Sequence, residues 1–236
     1  MHLKGITLFP EKYPTREYYP FNVPVFEQTT KIPFHSNIVF FIGENGTGKS
    51  TLLEAIAHKC GIHIWKAEEK RRFKINPFAH TLYKYINVEW VDGHVPGAFF
   101  GSDTFRYFAQ CVEEWAISDP GILEYFGGKS LITQSHGQSL MSLFRARYEL
   151  KGLYLMDEPE TALSPRSQLE LLKILNKQSS KGHAQFIIAT HSPILLACPG
   201  AEIYSFDHIP LKKVDYEDTD YYRIYKRFME DRTQYL

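Results

Sequence analysis

Asn37-Ile38-Val39-Phe40-Phe41-Ile42-Gly43-Glu44-Asn45-Gly46-Thr47-Gly48-Lys49-Ser50-Thr51 is the stretch on which the fold turns. Its first six residues, β-branched and aromatic, predict a buried strand. Thr51 to Lys59 has the apolar spacing of an amphipathic helix. Between them lies a turn with glycine at 43, 46 and 48, where no Cβ keeps the backbone from an anion. The N–H groups from Asn45 through Gly46, Thr47 and Gly48 to Thr51 then form a nest for phosphate, with a helix N-terminus behind it. Lys49 supplies a point charge for the β- and γ-phosphates, and the Ser50 hydroxyl is a ligand for Mg2+. Strand, glycine turn and helix start, in that order, predict a nucleotide site.

A chain of 236 residues is long enough to bury one α/β core. Lys plus Arg and Asp plus Glu both number 27, so no global charge points to nucleic acid or an anionic membrane, although a local patch suffices for either. Cys60, Cys111 and Cys198 lack metal-ligand spacing and read as reduced, mostly buried thiols of a cytoplasmic protein. No signal-peptide core and no membrane span is legible.

Outward from the cradle, His2 to Phe9 alternates like a strand, and Val25 to Ile32 is expected to pair back as another. Tyr18, Tyr19 and Phe21 in the loop between are candidates for stacking on adenine, or else for the core. Ala67 to Lys74 carries Lys70, Arg71, Arg72 and Lys74 beside Glu68 and Glu69, the pattern of a solvated face. Strands are expected at Ile86–Val91 and Gly97–Gly101. A helix is expected at Asp103–Ala116, capped by Ser102 or Asp103, and another at Gln138–Leu150. Asp119-Pro120-Gly121 and Phe126-Gly127-Gly128 mark loops. Strands at Gly152–Met156, Ala184–Ala189 and Glu202–Phe206 alternate with helices at Pro165–Lys177 and Ile194–Ala197. A tail helix is expected at Thr219–Met229. The fold class is α/β: a mostly parallel central sheet, an N-terminal antiparallel β part and a small helical subdomain. A single domain over residues 1–236 is expected, with the helical subdomain inserted at about 103–150.

Leu153 to Met156 runs into Asp157 and Glu158. In a parallel sheet, carboxylates at a strand's C-terminal end lie beside the cradle. There Asp157 would hold Mg2+ and Glu158 would polarise a water. Ser135-His136-Gly137-Gln138 offers a hydroxyl and a glycine N–H at a helix start, a surface for a γ-phosphate. Thr190-His191 follows the next strand, where a histidine can reach a γ-phosphate or Glu158.

The order of cradle, Ser-x-Gly-Gln, Asp-Glu-Pro, Ala-Leu and Thr-His resembles the ABC-type ATPases, from about Ile38 to about Phe206. On that resemblance Ser135, Gly137 and Gln138 lie in the signature motif, Asp157 and Glu158 are the Walker B pair, Ala162-Leu163-Ser164 is the D-loop and His191 the switch histidine. The resemblance implies ATP and Mg2+ as ligands and hydrolysis as the activity. It also implies an ATP-dependent homodimer in which the signature of one copy serves the nucleotide of the other. Asp157-Glu158-Pro159-Glu160 and Thr190-His191-Ser192-Pro193 look more like the SMC, RecF and OLD-type enzymes than transporter subunits. Phe9 to Pro14 and Pro20 to Pro24 resemble small stand-alone bacterial ATPases. Work on DNA or in defence, with DNA or an effector protein as partner, is therefore favoured over a transporter's ATP-binding subunit. Two features depart from the family. No glutamine stands at the Q-loop position, Gln110 falling inside a helix, so Ser102 or Asp103 is expected to sense Mg2+ and water there. The spacing from Lys49 to Ser135 is too short for a coiled-coil arm.

Overall fold

The computed structural model describes residues 1–66, 76–102 and 104–236. Its centre is a six-stranded sheet in the order β5-β6-β7-β3-β8-β9. These strands are β3 (Ile38–Ile42), β5 (Gly97–Gly101), β6 (Gly152–Asp157), β7 (Ala184–Ala189), β8 (Glu202–Ser205) and β9 (Lys212–Val214). The first five in that order run parallel, and β9 closes the edge antiparallel to β8. Every residue of β3 and β7 is buried, as a parallel strand covered on both faces requires.

The two-residue period divides β3 between two cores. Val39 and Phe41 join Leu52, Leu53 and Ile56 of helix α2 (Lys49–Lys59). Ile38, Phe40 and Ile42 join the other layer, which includes Phe105 and Val112 of α3 (Phe105–Ser118), Phe144 of α4 (His136–Arg147) and Leu171 and Leu175 of α5 (Pro165–Ser180). Helices α3 and α4 lie in chain order between β5 and β6. The first core is closed by a small antiparallel sheet, β2-β1-β4, formed by β1 (Leu3–Leu8), β2 (Lys31–Pro33) and β4 (Ile86–Trp90).

Three expectations need correction. Val25 to Ile32 is not one strand: Pro24 starts a short helix, α1 (Pro24–Gln28), that buries Val25 and Phe26, and only β2 pairs with β1. Proline presets the helical φ, and a single turn places both apolar side chains inward. The N-cap position of α3 is Thr104, not Ser102, and its hydroxyl donates to the Gly101 carbonyl rather than accepting from the helix. Asp103 and the charged stretch from Ala67 to Lys74 lie outside the described residues. Pro120 to Phe126 is a 3-10 helix rather than loop, with Asp119 accepting from the Gly121 N–H. The edge strand β9 carries no apolar run by which sequence would reveal it.

Gln185 joins the two sheets. It sits on β7 with no exposure, among residues that are otherwise apolar. Its Oε1 accepts from the N–H groups of His2 and Leu3, each at 2.7 Å, and its Nε2 donates to the Leu3 carbonyl at 3.0 Å. A side-chain amide thus satisfies β1 where no strand reaches it. Replacing it by leucine orphans two buried donors and an acceptor. Gln185→Leu is expected to cost about 2–4 kcal/mol in urea unfolding. A loss under about 0.5 kcal/mol, typical of surface changes, would show that the two sheets are held together otherwise.

Candidate functional site

The cradle follows β3 and ends at Gly48, the N-cap of α2. Gly48 has φ 106°, and a Cβ there would stand 2.7 Å from Cζ of Phe26. Both the left-handed backbone and the ring below demand glycine. Sequence reading missed Phe26 because it expected a strand there. Hydroxyls of Ser164, Ser192 and Thr219 accept from first-turn N–H groups of α5, of α6 (Pro193–Leu196) and of α7 (Asp220–Glu230). Helix α2 has no such side-chain cap, so its first-turn N–H groups keep their capacity for an anion. Lys49 is only 5% exposed, and its Nζ donates to the carbonyls of Gly43 at 2.6 Å and Glu44 at 2.9 Å. Burial lowers its pKa, while the carboxylates of Glu158, Asp207, Asp157 and Glu44 pull the other way. Asp207, at the end of β8, accepts from the Glu44 N–H at 2.8 Å and steadies the loop. Tyr19 meets the Thr51 hydroxyl and is half exposed, as is Tyr18, so both keep a face for a base. Phe21 does not: it is fully buried against Tyr13, Tyr85 and Phe78.

The carboxylates reach the cradle because β6, β7 and β3 are neighbours in register. Asp157 pairs with Ala189, and Ala189 with Phe41, so the three strands end at one level. Ser50 Oγ donates to Asp157 Oδ1 at 3.0 Å. These two hard oxygens, side by side at the cradle's floor, fit Mg2+ in donor type. Ser102 also lies here, its N–H 3.4 Å from the Asp157 carbonyl, whereas Gln110 lies within α3. Glu158 has φ 47° and is the one non-glycine residue at positive φ among the described residues. A non-glycine residue in that region costs about 1–2 kcal/mol. The turn swings Glu158 toward His191, whose Nε2 stands 3.5 Å from Oε1.

His191 is held from two sides that sequence reading missed. Its N–H donates to Glu160 Oε1 at 2.6 Å. Burial raises the Glu160 pKa, and hydrogen bonds from the switch loop oppose the rise. Its Nδ1 lies 2.8 Å from the hydroxyl of Tyr221, which in turn donates to the Gly43 carbonyl at 3.0 Å. Burial pushes the Tyr221 phenol up to about 12, so it remains a neutral donor. Thr190 is fully buried, and its Oγ1 accepts from the Ser192 N–H, shaping the loop. Glu44, Asn45, Glu158, His191 and Tyr221 line one open cleft of about 350 Å3.

Ser135, Gly137 and Gln138 lie elsewhere. Ser135 caps α4, and its N–H donates to Gln138 Oε1 at 3.1 Å. A Cβ on Gly137 would be 2.8 Å from the carbonyl of Ala162, so glycine is what lets the signature helix seat against the D-loop. His136 packs edge-on against Phe105 at 5.2 Å, a structural use for the residue that departs from the family pattern. The signature opens on a polar cleft of about 670 Å3, whose walls include Lys129, Ser142 and Arg145. This cleft and the one at His191 share no lining residue.

Cradle and carboxylate pair at one edge of a mostly parallel sheet are the arrangement of a P-loop ATPase domain. Residues 138–197 match the family described as "AAA domain, putative AbiEii toxin, Type IV TA system", and residues 21–88 match a second AAA domain family. The thiamine import ATP-binding protein ThiQ of Ruegeria sp. is 29% identical over 170 residues, 66% of this chain and 71% of that protein. The hemin import ATP-binding protein HmuV of Hahella chejuensis is 26% identical over 168 residues, 64% of this chain and 65% of that protein. The macrolide export ATP-binding/permease protein MacB of Psychrobacter arcticus is 24% identical over 86% of this chain, which spans only 33% of MacB. Among solved structures, cbiO1 of Clostridium perfringens shares the fold at TM-score 0.51 and 16% identity, over 99% of this chain and 98% of that one. An SMC head solved with the C-winged helix domain of ScpA does so at TM-score 0.52 and 12% identity, over 91% and 98%. AAA-type P-loop ATPase domain families thus match two separate stretches of this chain, and the relatives it resembles are ABC ATP-binding proteins.

Glu160 offers a direct check on how the switch loop is held. Glu160→Ala removes the acceptor of the His191 N–H and is expected to cost about 1–2 kcal/mol. Glu160→Gln keeps an acceptor and is expected to cost less than about 0.5 kcal/mol, as a change that breaks no contact does. Thermal unfolding of the two variants measures the difference; equal losses would remove Glu160 from this role.

Proposed function

We propose that the protein hydrolyses Mg-ATP between two copies of itself and uses the cycle as a stand-alone switch. The observation that carries this is the convergence of Ser50 with Asp157 at 3.0 Å and of Glu158 with His191 at 3.5 Å on one strand edge, above a buried Lys49. Gly43, Asn45, Gly46, Thr47, Gly48, Lys49, Ser50 and Thr51 would bind the triphosphate. Lys49 would exchange its carbonyl partners for phosphate oxygens. Ser50 and Asp157 would hold Mg2+, which when bound neutralises phosphate charge. Glu158 accepts a proton from water as the water oxygen bonds to the γ-phosphorus. The bond from that phosphorus to the β-bridging oxygen breaks, and ADP leaves with those electrons. His191 aligns the attack, and Tyr18 or Tyr19 would stack on adenine.

Pairing is supported by the separation of the two clefts. Ser135 and Gly137 face a polar cavity with Lys129 and Arg145 on its wall, away from the chain's own cradle. In a head-to-tail dimer that cavity covers the partner's γ-phosphate. Residues 1–236 then act as one ATPase domain, with the helical subdomain at about 103–150 carrying the signature. Three free cysteines support a place in the cytoplasm. The resemblance of the Asp157-Glu158-Pro159-Glu160 run to SMC, RecF and OLD-type enzymes supports work on DNA or in defence with an effector partner. A transporter's ATP-binding subunit is the second reading, favoured by the likeness to ThiQ and HmuV. Among the described residues no helix is long and apolar enough to cross a membrane, so on this reading the channel would lie outside them.

Lys49→Ala is expected to weaken ATP binding by about 10–100-fold, the worth of a charge-assisted contact; unchanged affinity by calorimetry would remove the cradle assignment. Glu158→Gln is expected to bind ATP, lose about 10²–10⁴-fold in turnover and accumulate as a dimer in gel filtration. Ser135→Arg is expected to bind ATP as a monomer yet fail to dimerise, and normal dimerisation with ATP would refute sealing by the partner copy. Pull-down with the ATP-loaded Glu158→Gln form separates the two functional readings: DNA or an effector protein supports the first, a membrane subunit the second.

A further inference from the structure

Tyr221 lies outside every motif of the family pattern, yet its hydroxyl stands between the cradle and the switch histidine. It donates to the Gly43 carbonyl at 3.0 Å, and His191 Nδ1 lies 2.8 Å from it. A phenol has one proton, and a carbonyl can only accept. With that proton committed to Gly43, the oxygen can only accept from His191, so Nδ1 must carry a hydrogen. In the neutral ring Nε2 is then bare. That atom is shielded, makes no hydrogen bond and lies 3.5 Å from Oε1 of Glu158.

We propose that Tyr221 is a positioning residue: its hydroxyl, anchored on Gly43, locks the neutral His191 ring with hydrogen on Nδ1 and turns the bare Nε2 toward Glu158. The inference rests on the reading of Glu158 and His191 as the pair that handles water. With Nε2 bare, the ring donates nothing to Glu158, and the carboxylate keeps its lone pairs for the protons of the attacking water. With hydrogen on Nε2 instead, that ring nitrogen would compete for Glu158 and leave the water unaimed.

The hydroxyl is held by a braced turn. Thr219, 3% exposed, caps α7 by accepting from the Tyr222 N–H, and its own hydroxyl donates to the Tyr216 carbonyl. The Tyr216 hydroxyl donates to the carbonyl of Pro193, two residues beyond His191, and its ring packs on Tyr222 at 4.8 Å. From Arg223 to Glu230 the helix is exposed, so only its first turn meets the body. Such a frame keeps a ring orientation that a lone hydrogen bond would not.

Tyr221→Phe removes one oxygen and keeps the ring. Tyr222→Phe, on the same turn, is the control for general loosening. In ¹⁵N-labelled protein without nucleotide, at a pH where His191 is neutral, wild type and Tyr222→Phe are expected to show His191 hydrogen on Nδ1. Tyr221→Phe is expected to move it to Nε2. The His191 signals are assigned by their loss in His191→Gln. Turnover of Tyr221→Phe is expected to fall about tenfold or more, with KM for ATP within about twofold, as for loss of an orienting partner. A wild-type His191 with hydrogen on Nε2, a Tyr221→Phe spectrum unchanged from wild type, or full turnover in Tyr221→Phe would each overturn the proposal. Because the spectrum needs no nucleotide, a wild type that hydrolyses nothing would sink the hydrolytic reading while the spectrum still judges the tyrosine's hold on His191.

Discussion

Parallel pairing of β6, β7 and β3 is the constraint on which the rest of the molecule depends. Asp157 is level with Ala189, and Ala189 with Phe41, so the turns after all three strands open on the same edge. Because side chains alternate, a one-residue slip would exchange the two faces of a strand. It would send Phe40 and Phe41 into each other's cores and carry Asp157 away from Ser50. Packing on both faces, by α2 with the small antiparallel sheet on one side and by α3, α4 and α5 on the other, makes such a slip prohibitive. Register chosen by apolar burial thus fixes the position of charged groups that contribute little to that burial.

Around this edge the protein keeps several groups in conditions that folding alone would not select. Lys49 is buried on backbone carbonyls, and Glu158 occupies the left-handed region. His191 Nε2 and Glu160 Oε2 are buried and lack hydrogen-bond partners. Local departures of this kind gather where a ligand or a reaction is served, because the surrounding frame stabilises them. Here the frame is polar as well as apolar. Asp207, Glu160 and Tyr221 each bond a loop of the site from a different part of the chain.

Most of the strands and helices were legible because their signals are local. Ala184–Ala189 shows its apolar run, Pro165 marks a helix start, and the cradle carries glycine spacing within nine residues. Misreadings arose where short segments met tertiary demands. Val25 and Phe26 fit a strand or a helical turn equally well, and burial beneath Gly48 favours the turn. Phe21 was open as a base-stacking ring or a core residue, and only the cluster with Tyr13, Phe78 and Tyr85 decides for the core. Thr104 rather than Ser102 precedes α3, its hydroxyl donating to the Gly101 carbonyl at the end of β5.

By itself the sequence determined the fold class, the order of the strands and helices along the chain, and which residues are candidates for phosphate, metal and water. Each of these is written in spacing over a few residues, where one peptide's geometry limits the outcome. Tertiary structure alone decided that Gln185 joins two sheets, that Glu160 holds the switch loop, and that Tyr221 meets Gly43 across 178 residues. A hydrogen bond between distant residues leaves no periodicity in the chain. It exists only once apolar packing has chosen a register and brought the two ends together.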